Sequence, residues 1–188
     1  MDDLQRLQGD LNFVRNALNT STRTKSPAIL YFLWAVIIVI GFGLVDFRPD
    51  FVPMYWVVAG PAGFLASAYL GWRHSRHIGQ ASATDGKRHL LHWGAVLAVI
   101  ALGVALGVAD ALPARSVGTM VLLLLALGYF TAGLHLDRFF LWVGALLAAG
   151  SVVVMVGSPF AWSGVGIVLA VSLVVAGIRE GRSREAIA

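Results

Sequence analysis

Residues 27–45 read PAILYFLWAVIIVIGFGLV, nineteen positions without a Lys, Arg, Asp or Glu. A bilayer's hydrocarbon core is about 30 Å thick and takes about 20 apolar residues of helix to cross. In lipid the backbone must satisfy its own hydrogen bonds. A run this long therefore reads as a helix, because barrel strands are about half as long and alternate in polarity. Five further uncharged runs follow, at 55–72, 90–108, 117–134, 139–157 and 159–178. The predicted fold is an all-α integral membrane protein, a six-transmembrane-helix bundle of three in–out–in hairpins.

Composition agrees with that solvent. Of 188 residues 58% are hydrophobic and 13% charged, with a mean hydropathy of +0.78; a soluble domain carries about 25% charged residues and has no interior large enough for so much apolar surface. The isoelectric point near 10.0 would point to nucleic acid in a soluble chain, but here the cations follow the topology. With the N-terminus inside, twelve of the fourteen Lys and Arg fall on the cytoplasmic side, leaving Arg48 and Arg115 outside. That is the distribution the positive-inside rule describes, so nucleic acid is not expected as a partner. Cysteine is absent, which excludes disulfides, thiolate zinc, iron–sulfur clusters and a thiol nucleophile. The polar first 26 residues, beginning MDD, lack the basic start of a cleavable signal. The first span is expected to serve as its own signal.

Three regions are predicted: a cytoplasmic amphipathic helix and linker over 1–25, the transmembrane domain over 26–179, and a basic cytoplasmic tail over 180–188. In the first, Leu4, Leu7, Leu11, Val14 and Leu18 recur at steps of three and four, with Asp2 and Gln5 at capping-box spacing. The seam suits self-association, a protein partner or docking on the bundle, and a lipid-surface helix is the other reading. Ser26-Pro27 and Ser158-Pro159 each pair a capping Ser with Pro at the first helical position, marking the starts of spans one and six. Gly60, Pro61 and Gly63 predict a kink in span two, either a packing bend or a functional break. Gly103 and Gly107 allow close helix approach. The even spans end alike, at Gly71-Trp72-Arg73, Gly133-Leu134-His135 and Gly177-Ile178-Arg179. Either a threefold hairpin repeat or the shared physics of small-residue helices with basic anchors accounts for this.

No Lys, Arg, Asp or Glu lies within a span, which argues against a proton-coupled carrier. Asp46 and Asp110, beside Arg48 and Arg115 at the outer boundary, read as exposed ion pairs of little weight and form no acid–base pair, so no enzyme is expected. The five histidines all fall at the inner boundary: His74 and His77 after span two, His89 and His92 opening span three, and His135 closing span four. Each His-x-x-His pair would share one helical face. Two facing pairs would offer four imidazoles to a transition metal, and His92 with His135 would suit haem. The other reading is structural, with imidazoles bonded to carbonyls or lipid phosphates, and on that reading no cofactor is needed. Among them Arg73, Arg76, Lys87 and Arg88 are expected to meet anionic headgroups or a partner, each contributing about 1 kcal/mol near such a surface. In general style the Ala-, Gly-, Val- and Leu-rich bundle with its short charged inner loop resembles small bacterial inner-membrane proteins. The likeness agrees with that location and assigns no residue a role; the distribution of Lys and Arg over six spans places both termini in the cytoplasm.

Overall fold

The computed structural model describes residues 27–77, 83–136 and 138–185; the leucine seam of residues 4–18 lies outside them. Among these residues the chain is helical, without strands. The helices are α1 (Ala28–Phe47), α2 (Val52–His77, entered through a 3-10 turn at Pro49–Phe51), α3 (Ala83–Val108), α4 (Ala114–His135), α5 (Phe139–Val156) and α6 (Ala161–Glu185). All six are long and apolar enough to cross a membrane.

Neighbours run antiparallel. They follow the order α2–α1–α6–α5–α4–α3, with the most extensive packing between α1 and α6 and between α4 and α5. Both of these junctions join different predicted hairpins. Buried apolar side chains come from α1, α4, α5 and α6, among them Phe42, Leu122, Leu147 and Leu169. The helices α2 and α3 flank this group at its two edges.

Small residues set the distances between helices, since lipid supplies no hydrophobic drive and association rests on close contact. A Cβ at Gly144 of α5 would lie 3.0 Å from the backbone N of Phe130 and 3.1 Å from the Ala126 carbonyl of α4. Gly166 of α6 similarly admits Phe42, whose ring meets Trp162 edge-on at 5.5 Å and Trp56 at 6.2 Å. Gly103 and Gly107 receive Met120 and Val117 of α4; their spacing serves packing within the chain.

Polar side chains join helices at a few points. Tyr55 donates its hydroxyl to the Ile37 carbonyl at 2.8 Å, and Trp34 donates its indole N–H to Ser67 Oγ at 3.0 Å. At the far end Asp46, half buried at the end of α1, accepts both the backbone N–H and the hydroxyl of Ser163 on one oxygen, at 2.7 and 2.6 Å. Ser163 stands in the first turn of α6, so the carboxylate caps that helix from another helix.

Several boundaries differ from the sequence reading. The last span starts at Ala161, not Pro159: Phe160, before it, is left-handed at φ 58°, with its ring tilted against Phe47 at 5.5 Å. Asp46 takes the capping place expected of Ser158, so it is not merely a surface ion-pair partner. The first helix begins at Ala28, with Pro27 at its cap and no side-chain capping bond. Helix α2 runs unbroken through Pro61, and Gly63 within it makes room for Trp34 and Ile37. Helices α2 and α3 continue past their apolar runs, to His77 and back to Ala83.

Candidate functional site

The basic ends of α3 and α4 flank an open cleft of about 410 Å³ lined by Arg88, His92, His135 and Leu136. Arg88 and His92 are one turn apart and share a face of α3. His135 is the last residue of α4 and Leu136 its C-cap. Imidazole near a helix C-terminus suits the negative end of the helix dipole.

His92 is held from two sides. Its Nε2 lies 3.0 Å from the Gly128 carbonyl of α4. A carbonyl only accepts, so Nε2 carries the proton and donates, leaving Nδ1 as the ring's other polar atom. Gly128 makes the approach possible, since a Cβ there would stand 2.9 Å from Val96. The same carbonyl also accepts from Thr131 Oγ1 at 3.0 Å. Beside His92, Trp93 packs on Tyr129 at 4.8 Å and on Phe140 at 5.9 Å, tying α3 to α4 and α5.

The remaining predicted residues lie around this cleft or apart from it. Arg73, Arg76 and Lys87 are exposed on the ends of α2 and α3. The Arg76 guanidinium sits 4.1 Å above the Trp72 ring, a cation–π contact that fits an interfacial belt. His74 and His89 are half buried on their helices. His77 ends α2, and its side chain lies outside the described residues. On α3, His92 turns to α4 and shares its cleft with His135. Among the described residues no group of three or more His, Asp or Glu side chains gathers in metal-binding range. The third cleft side chain is a guanidinium, which repels a cation.

Two features escaped the sequence reading. Gly128 gives His92 its acceptor, and nothing in LALGYF distinguishes that glycine from its neighbours. Glu180 is half buried at the basic end of α6, with its Oε1 shielded from solvent; its place just past an apolar run was the available signal. No family model, curated protein or solved structure matches this chain.

Proposed function

We propose that the chain is a non-enzymatic multi-pass protein of the bacterial cytoplasmic membrane, with both termini in the cytoplasm, that serves as a regulatory or accessory subunit. Its basic, histidine-bearing face binds a protein partner or a second copy, and sits on anionic headgroups. One observation carries this reading. Six antiparallel helices bring the exposed cations Arg73, Arg76, Lys87, Arg88, Arg138, Arg179 and Arg182 to one end, while Arg48 is exposed at the other. The positive-inside rule assigns such an end to the cytoplasm, where the anionic leaflet attracts each cation.

The test is to replace Arg73, Arg76, Lys87 and Arg88 together by Gln, and separately to delete residues 1–20, in the full chain. Oligomeric state, co-purifying subunits and bound anionic lipid are then compared with wild type. Loss of any of these supports the reading; identical behaviour of both variants in all three refutes it.

A second reading, a transition-metal or haem protein of transport or redox function, draws on the presence of His92 and His135 in one cleft. A Soret band or stoichiometric metal in the purified protein would favour it over the first.

A further inference from the structure

We infer that the cleft between the basic ends of α3 and α4 is a recognition site for a phosphate group, borne by an anionic lipid headgroup or free in solution. The inference rests on the basic-face reading and assigns it one definite ligand chemistry. Three nitrogen-bearing side chains line the cleft: Arg88 and His92 from one wall, His135 from the other. Arg88 cannot lose its proton, and its planar fork matches phosphate oxygens two at a time. That permanent charge disfavours a metal cation and favours an anion. Among the described residues no carboxylate lines the cleft.

His92 is positioned before any ligand arrives. Its Nε2–H is committed to the Gly128 carbonyl, so the ring is oriented, and Nδ1, which in this tautomer only accepts, matches a ligand hydroxyl such as that of a glycerol headgroup or a protonated phosphate. Leu136 adds an apolar patch beside His135 on the opposite wall, suited to the glycerol and first methylenes of a phospholipid. The depth agrees: Arg88 stands two residues before the uncharged run that opens at Leu90, the level at which headgroups lie.

The full chain is purified in detergent. Retention of phosphatidylglycerol against phosphatidylcholine is counted by native mass spectrometry, and binding of radiolabelled inorganic phosphate is measured by equilibrium dialysis. The expected result is preferential retention of phosphatidylglycerol. Arg88→Gln should weaken it about tenfold or more, the loss of a hydrogen-bonded charged partner. Arg88→Lys, which keeps the charge without the fork, should fall between, and His135→Gln should also lose affinity. Arg138→Gln removes an equal charge from the same end outside the cleft and should change binding less than about twofold. Phosphate binding that depends on Arg88, without lipid preference, supports the site with free phosphate as its ligand. Equal losses for Arg88→Gln and Arg138→Gln overturn the cleft and leave the general basic face standing. No preference in either arm overturns the site, and if the four-Gln variant and the 1–20 deletion are also unchanged in oligomeric state, co-purifying subunits and bound lipid the basic-face reading falls with it. Arg88 is exposed, and an unchanged helical circular dichroism spectrum separates lost binding from lost fold.

Discussion

Replacing Asp46 by Ala removes the carboxylate that caps α6 from the end of α1. Two charge-assisted bonds are lost, from Ser163 N–H at 2.7 Å and Ser163 Oγ–H at 2.6 Å. At full strength such bonds are worth about 1.5–3 kcal/mol each. Asp46 is only half buried, so water replaces part of each, and the loss of an N-cap in general costs about 0.5–2 kcal/mol. The expected destabilisation is therefore about 2 kcal/mol for Asp46→Ala. Asp46→Asn keeps an oxygen acceptor and loses the charge, and should cost about 1 kcal/mol. Ser163→Ala removes the hydroxyl bond and leaves the backbone N–H, again for about 1 kcal/mol. Because Asp46→Ala and Ser163→Ala both delete the same O–H···O contact, the double variant should lose less than the sum of the singles. Unfolding in mixed micelles, with dodecylsulfate titrated into a mild detergent and helicity followed by circular dichroism, measures all four. An Asp46→Ala protein within about 0.5 kcal/mol of wild type, the range of ordinary surface changes, would refute the capping argument, as would strict additivity in the double variant.

Glycines divide into two classes that the same assay separates. Gly144→Ala presses a methyl group on the backbone of α4 and should cost about 1–3 kcal/mol, whereas Gly94→Ala, with nothing within 4 Å of the new Cβ, should be neutral or stabilise by up to about 1 kcal/mol; equal effects would contradict the packing described. Phe42→Ala empties a site 5% exposed between two tryptophan rings and should lose about 3 kcal/mol, with a blue-to-red shift in tryptophan emission; unchanged emission would count against the cluster. His92→Phe retains an aromatic ring but forfeits the bond to Gly128, and a cost of about 0.6–2 kcal/mol is expected for a polar contact between membrane helices.

How far the fold was readable follows from what each feature depends on. The uncharged runs beginning at Pro27, Tyr55, Leu90, Val117, Phe139 and Pro159 were legible because a bilayer imposes length and polarity on every crossing segment. Their ends were less so: Ser158-Pro159 looks like a cap, but the capping oxygen comes from Asp46, 117 positions away, and no local pattern contains such a partner. The adjacency of α1 and α6 was hidden for the same reason. In the site, the placement of the histidines near helix ends was legible and their partners were not. Spacing put His89 and His92 on one face of α3, but packing of α3 on α4 decided that His92 meets the Gly128 carbonyl and lines one cleft with His135.

The central claim is that six helices cross a bilayer with their cationic ends in the cytoplasm. Since the chain has no cysteine, a single Cys introduced at Ala111, in the α3–α4 connection, or at Gly86, at the basic end of α3, would be its one thiol. A membrane-impermeant maleimide applied to intact spheroplasts should label the position-111 variant and leave the position-86 variant untouched until the membrane is permeabilised. Labelling of position 86 in intact spheroplasts, or protection of position 111, would contradict the account.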